Sequence, residues 1–263
     1  MTLAEQQADT QLDPRVIDSS TRQLLRLLTF QLPDTITIRP ETRAALQVQH
    51  TLSLIESIPS GDDLRGWTPK AQRALRIGEI VFCTVGEESA SNQVFVAQKL
   101  SLLVASQALQ HIIVEEPEVV EIHLAGPGFA PSAIAVLCYW LNSVCDWSSE
   151  ATSCLLCPAD VCQALELQHN AQPLSIDQYT KTIENHYFCG IWERIPSLEE
   201  AFAVSYNTFE ANDPVLNAWV SRIVYLQRVL ELPPKYLQGL RLILAIEEHR
   251  KLLRALDNAV MIF

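Results

Sequence analysis

The 263-residue sequence lacks any apolar run of the roughly 18–20 residues that a membrane-spanning helix needs. It is also poor in basic residues, with 19 Lys and Arg against 31 Asp and Glu and a net charge of −12. Because binding to a phosphate backbone needs a basic surface, this balance argues against nucleic acid as a partner. Residues 1–13 are polar and contain no apolar stretch, which predicts a disordered tail rather than a signal peptide.

Regular cysteine spacing is absent as well. Seven cysteines without a pattern indicate reduced thiols, and therefore a cytoplasmic protein. Cys154 and Cys157 have the spacing of a redox or zinc pair, for which Cys162 and His169 are the nearest further ligands. The pair lies in an apolar, strand-like run, whose alternate side chains point to opposite faces. We therefore expect structural thiols, no metal site and no cofactor.

Between residues 79 and 162, apolar runs alternate with helix-like segments. The apolar runs lie at 80–83, 119–124 and 153–157, and the helix-like segments lie at 92–107 and 131–144. The tight turn Gly126-Pro127-Gly128-Phe129 follows the second run. This order predicts right-handed parallel α/β units, which place their chemistry at the turns that follow strands.

Helices are predicted on both sides of this α/β section. The predicted division is a disordered tail at 1–13, a helical region at 14–76, an α/β core at 77–195 and a helical region at 196–263. Ser197 and Glu200 form a capping-box pattern at the start of the C-terminal helices. The apolar run 187–192 predicts a further strand. The wide apolar face of a last helix, 235–260, predicts packing on the core or a contact surface for another protein chain.

Two segments of the core match the pattern of a known family. Glu79-Ile80-Val81-Phe82, followed by residues 87–90 and 94–100, resembles the first strand, acidic turn and helix of the Clp protease proteolytic subunit. The turn Gly126–Phe129 resembles that family's Ser-Pro-Gly-Gly turn, and 133–141 occupies the place of the helix after it. The resemblance covers about residues 77–190. It implies a Clp protease/crotonase-like core of repeated βαβ units with helical extensions, assembled into homo- or hetero-oligomers.

The residues for the family's hydrolytic chemistry are incomplete. That chemistry needs a nucleophilic Ser, a His, an Asp and backbone N–H groups that hold the oxyanion. No Ser stands at the matching place, where Val161 is found with Cys162 beside it. His186 matches the family's His, and Asp213 is only the nearest acidic residue. If hydrolysis survives, the resemblance implies a peptidase that uses Cys162 and His186.

The oxyanion turn also departs from the family pattern. Phe129 stands where the second Gly is expected, beside Gly128. A side chain there restricts the backbone and crowds the approach of a peptide. Together with the missing Ser, this departure favours a catalytically degenerate subunit that acts through self-assembly or by pairing with active subunits.

Two alternatives stay open. The sequence also fits a regulatory α/β module similar to anti-sigma-factor antagonists, in which Ser132, at a helix start, is the expected phosphorylation site. It fits as well a crotonase-like enzyme acting on an acyl thioester, with Glu121 or His123 as acid or base. His123 and Gly126 lie at the carboxyl end of a predicted parallel strand, where binding residues are expected.

Overall fold

The computed structural model describes residues 39–59, 61–86, 92–126, 128–146, 155–208, 213–229 and 232–261. Over these ranges the protein is a mixed α/β structure in which helices predominate. The predicted tail at 1–13 and the N-terminal part of the predicted helical region, up to residue 38, lie outside the described residues.

The secondary structure begins with a helical section and a small sheet and ends in a series of helices. In chain order the elements are α1 (Pro40–Ser57), α2 (Pro69–Ala74), β1 (Ile80–Val85), β2 (Gln93–Gln98), α3 (Lys99–Ala105), α4 (Gln107–Glu115), β3 (Glu121–Leu124), α5 (Pro131–Val144), α6 (Val161–Ala171), α7 (Lys181–Ile191), α8 (Leu198–Asn207), α9 (Pro214–Arg228), α10 (Pro234–Leu244) and α11 (Arg250–Met261). Short 3₁₀ turns lie at Leu64–Gly66, Leu75–Ile77, Asp177–Tyr179 and Glu247–His249.

The sheet has the strand order β2-β1-β3. β1 pairs antiparallel with β2 and parallel with β3. The prediction of a helix over 92–107 was therefore wrong in its first half, where β2 forms a hairpin with β1. The side chains of Val94 and Val96 are exposed while Ala97 is buried, and this alternation has the period of a strand rather than of a helix.

The expected series of parallel βαβ units is not confirmed. Within the described ranges the parallel pairing is that of β1 with β3, linked through β2, α3 and α4. Residues 155–158 form no strand, and the preceding part of the third apolar run lies outside the described residues. A Clp- or crotonase-type core is thus an interpretation of the sequence that the described part of the sheet does not confirm.

The strand predicted at 187–192 is also wrong, because residues 187–191 belong to helix α7. Ile183, Tyr187 and Ile191 are buried and recur every four residues, so they form one face of a helix. Before α7, the chain forms a 3₁₀ turn at Asp177–Tyr179.

Two hydrophobic cores hold these elements together, and α6 lies between them. The first core packs the inner face of the sheet against α3–α5 and includes Val48 of α1. The second core is built by α7–α11 around the fully buried Trp219. On α6, Leu167 packs into the first core and Leu165 into the second. A third face of this helix therefore packs into neither core.

The predicted last helix over 235–260 is interrupted. α10 ends at Leu244, Ile246 adopts an extended backbone, and α11 starts at Arg250. The apolar face of both helices packs largely into the second core, through buried Leu240 and Leu252 among others. Leu242 remains exposed. None of the helices in the described ranges is long and apolar enough to cross a bilayer.

Candidate functional site

A pocket of about 470 Å³ opens between the turn after β3, helix α6 and helix α8. This volume lies within the range of roughly 300–1,000 Å³ that is typical of small-molecule sites. The pocket is lined by Gly128, Phe129, Ala130, Cys162, Gln163, Glu166, His169, Asn170, Phe202, Ala203, Tyr206 and Asn207. It is lined by both the Gly128–Phe129 turn and Cys162, which the family resemblance predicts as parts of one site.

Helix α6 supplies the polar wall of the pocket. Cys162, Glu166 and His169 recur at spacings of four and three residues, so they share one face of the helix. This is the face that neither hydrophobic core uses. Asp160 caps the helix by accepting a hydrogen bond from the Gln163 N–H at 2.8 Å. Of these residues, sequence reasoning missed Glu166, although its spacing from Cys162 was visible.

The turn after β3 is held by internal hydrogen bonds. Gly126, two residues after the end of β3, has a φ of +128°, a conformation that favours glycine. The Phe129 N–H donates to the Gly126 carbonyl at 3.3 Å, and the Ala130 N–H donates to Asn170 Oδ1 at 2.7 Å. Asn170 is only 1% exposed. The Phe129 amide of the predicted oxyanion turn is therefore already engaged.

The structure does not bring Cys162 and His186 together. His186 is exposed on α7 and is not among the described residues that line the pocket. His169 lies seven residues from Cys162 on α6, which corresponds to roughly 10.5 Å along a helix axis. Asp213 caps α9 by accepting a hydrogen bond from the Val215 N–H. The Asp213 carboxylate also acts on His169, whose pKa it raises against the lowering by burial.

The electrostatic surroundings keep Cys162 protonated. Burial raises the pKa of its thiol, and the carboxylates of Asp160, Glu200 and Glu199 raise it further, against a smaller lowering by Arg194. Because the thiolate is the reactive form, a raised pKa makes this cysteine a poor nucleophile at neutral pH.

Ser132 lies beside the pocket, at the start of α5. Its side chain is exposed, and its hydroxyl donates to Glu166 Oε2 at 2.6 Å. A phosphate on Ser132 would stand next to the Glu166 carboxylate and repel it. The proposed phosphorylation switch stays a prediction, and this contact is the one it would break.

His123 lies elsewhere, on the outer face of the sheet. It is exposed, with Nε2 at 3.6 Å from Glu121 Oε1, and Glu121 also accepts a hydrogen bond from the Thr84 hydroxyl at 2.6 Å. Neither His123 nor Glu121 lines the pocket, and neither does Gly126. If Glu121 or His123 acts as an acid or base, it does so outside the pocket that the Gly128 turn lines.

Helix α8 supplies an aromatic wall that sequence reasoning missed. Phe202 and Tyr206 are four residues apart and line the pocket. Both rings contact the ring of His249 edge-on, with centroids 4.9 and 5.2 Å away. His249 is 1% exposed, and its Nδ1 lies 2.7 Å from the Ser205 hydroxyl. A buried imidazole thus supports both aromatic side chains from behind.

A buried ionic network fixes α8 against α7. Ser197 accepts a hydrogen bond from the Glu200 N–H at 3.0 Å, which is half of the predicted capping box. The Glu200 carboxylate does not return to the cap. It accepts hydrogen bonds from the Tyr187 hydroxyl at 2.8 Å and from both terminal guanidinium nitrogens of Arg194.

A metal centre has no support in the described part of the chain. No group of three or more His, Cys, Asp or Glu side chains there is arranged to hold an ion. Cys157 is partly buried, and Cys154 lies outside the described residues.

No family model, curated protein or solved structure matches this chain. The resemblance to the Clp protease subunit therefore stays a prediction.

Protonation of His249 is expected to make stability depend on pH. Burial lowers its pKa below the ordinary value of 6.5. As pH falls through 6.5, the unfolded chain takes up a proton that the folded protein still refuses, so the free energy of unfolding falls until the folded pKa is reached. Urea unfolding at pH 7.5 and 5.5 should show a smaller loss for His249→Gln than for the wild type. The exposed His111→Gln is the control, and equal losses in both variants would contradict the expectation.

Proposed function

We propose that the protein is a non-hydrolytic binding protein that takes a small ligand, or a side chain of a partner, into the pocket between α6 and α8. The observation that supports this most directly is the composition of the pocket. It joins the Gly128 turn to Cys162, whereas His186, the predicted base for that thiol, is not among the described lining residues. It is a shaped cavity without an assembled nucleophile.

Three features argue against hydrolysis. The thiol of Cys162 has a raised pKa, His186 is exposed on another helix, and the Phe129 amide is engaged. Each of these would have to change before a tetrahedral intermediate was formed and held.

Binding needs less reorganisation. The turn is fixed by Asn170, and α8 is fixed by Glu200, so the walls of the pocket are held before a ligand arrives. A preformed cavity spares the entropy of ordering its walls on binding. Apolar rings on one side and polar side chains on the other are the usual composition of a ligand site.

The first test is of hydrolysis. The purified protein is expected to leave unfolded casein and short fluorogenic peptides uncleaved above the buffer rate. The Cys162→Ala variant should give the same trace as the wild type. Turnover that disappears in Cys162→Ala would overturn the non-hydrolytic part of the proposal.

The second test is of the pocket itself. Ala203→Leu adds side-chain volume to the α8 wall, whereas Ala108→Leu makes the same change on an exposed position of α4. In saturation-transfer NMR with a set of charged and neutral fragments, fragments that bind the wild type should bind Ala108→Leu equally and lose binding to Ala203→Leu. Circular dichroism checks that both variants fold. If every fragment that binds the wild type also binds Ala203→Leu equally well, the proposal that this pocket is the binding site is refuted.

The proposed oligomeric assembly and the pairing with active subunits are separate from this pocket and stay predictions. Light scattering on a sizing column tests them directly, since a discrete ring-sized species would support assembly.

A further inference from the structure

We infer that the group bound in this pocket is an organic cation, such as a quaternary ammonium or a methylated amine. The inference rests on the proposed binding function and adds the chemical class of the ligand. It starts from two opposite walls of the cavity, the aromatic rings of α8 and the carboxylate of α6.

The aromatic wall presents rings to the cavity and is positioned from behind. Phe202 and Tyr206 line the pocket on α8, and Phe129 lines it from the turn. Tyr206 is 60% exposed, so its ring is accessible to a ligand. The faces of aromatic rings are electron-rich and attract cations, and an alkylated ammonium also gains from apolar contact with them.

The opposite wall supplies a negative charge. Glu166 lines the pocket, and one of its carboxylate oxygens, Oε2, accepts the Ser132 hydroxyl at 2.6 Å. This bond holds the side chain in place. Its other oxygen has no contact that would neutralise the charge among the described residues. A placed carboxylate facing aromatic rings is complementary to a cation and unfavourable for an anion.

The remaining charges agree with this assignment. Burial lowers the pKa of His169, as does nearby Lys251, so the imidazole is neutral at pH 7.5. The Lys251 ammonium donates to the Thr208 carbonyl, and the Asp213 carboxylate interacts with its charge. Neither Lys nor Arg is among the described lining residues. At the Cys162 end, Asp160 and Glu199 add negative potential.

A pair of probes of equal shape tests the charge requirement. Choline and 3,3-dimethylbutan-1-ol differ in one atom, because a neutral carbon replaces the quaternary nitrogen. In NMR titrations at pH 7.5, choline should bind the wild type at least about tenfold more tightly than the neutral alcohol. The chemical-shift changes should include the ring protons of Phe202 and Tyr206.

Variants of the two walls complete the test. Glu166→Gln keeps the shape and a partner for Ser132, and it should weaken choline binding about tenfold while leaving the alcohol unchanged. Tyr206→Leu should weaken choline binding by a similar factor, and Tyr206→Phe should retain it. Glu41→Gln, on an exposed position of α1, is the charge-matched control and should change neither probe.

The outcomes separate this inference from the function it rests on. If choline and the alcohol bind equally, or if Glu166→Gln has no effect on choline, the cation is refuted while the pocket stands. If neither probe binds, the cation is refuted as well, and the Ala203→Leu comparison alone decides whether the pocket binds anything.

Discussion

Replacing Glu200 by Ala is expected to lower the free energy of unfolding by about 3 kcal/mol. Glu200 is 2% exposed and accepts hydrogen bonds from Tyr187 and Arg194. Removing it leaves the buried Tyr187 hydroxyl without an acceptor and leaves the Arg194 charge facing a cavity. Arg194 retains partial exposure, so water recovers part of the loss, and the value is at the low end for a broken buried pair.

The neighbouring Glu199 provides the control for this prediction. Glu199→Ala removes the same charge from the same first turn of α8, but the side chain is exposed. Its effect should stay within about 0.5 kcal/mol, so the difference between the two variants isolates the buried network. Urea unfolding followed by circular dichroism gives both values. Equal losses would show that the network adds nothing beyond the helix dipole.

The same change should act on the pocket. Helix α8 carries Phe202 and Tyr206, and Glu200 is the residue that fixes this helix to α7. At a temperature where the variant is still folded, Glu200→Ala should weaken choline binding, whereas Glu199→Ala should not. Stability and ligand binding are thus linked through the placement of one helix.

The starts of the helices were predictable because they depend on local residues. Thr68, Ser197 and Asp213 precede helices in the sequence, and each caps its helix through a side-chain hydrogen bond in the structure. Pro at the first helical position and a capping side chain act within one turn, without help from the rest of the fold. The start of α5 at Pro131 was likewise confirmed.

The strand β2 was missed because its pairing is not local. Gln93–Gln98 has an alternating pattern, yet the residues that follow continue as helix α3, so the whole segment was interpreted as one helix. The segment 187–191 was missed in the opposite direction. Its aromatic and apolar residues favour a strand. It forms a helix in the structure because this conformation places Tyr187 and Ile191 on one buried face.

The candidate site was only half predictable for a related reason. The Gly128 turn and Cys162 were visible as local motifs, whereas Glu166 was missed and His169 was considered only as a possible metal ligand. Phe202 and Tyr206 join them through packing of α8 on α6, which no local pattern encodes. His186, the predicted partner of Cys162, lies exposed on α7 and is not among the described lining residues, because a resemblance in sequence pattern does not give the packing of α7.

The second large effect is expected from a substitution of Asn142, whose side chain lies at the open edge of the sheet. β2 is an edge strand, and the Asn142 side chain binds its open side. The amide nitrogen donates to the Val96 carbonyl at 2.7 Å, and the amide oxygen accepts the Gln98 N–H at 2.9 Å. A neighbouring strand would make the same two hydrogen bonds. Asn142 therefore blocks pairing of this edge with another chain.

Without that side chain the edge becomes a template for association. β2 contains no charged residue, and Val94 and Val96 are 54% and 39% exposed. Asn142→Ala is expected to lower the free energy of unfolding by about 1–2 kcal/mol, since two hydrogen bonds are lost. It should also shift the protein to larger species than the wild type in light scattering on a sizing column. Asn217→Ala, an exposed change on α9, should do neither.

A double variant separates edge pairing from general instability. Adding Val94→Lys to Asn142→Ala places a charge on the open edge, which opposes pairing with a second strand without restoring the lost hydrogen bonds. We expect the double variant to return to the wild-type size while keeping the lower stability. If it remains associated, the larger species arise from partial unfolding, and Asn142 stabilises the fold without protecting the edge. If it returns to the wild-type size, the Asn142 side chain is what prevents the β2 edge from pairing with a strand of another chain.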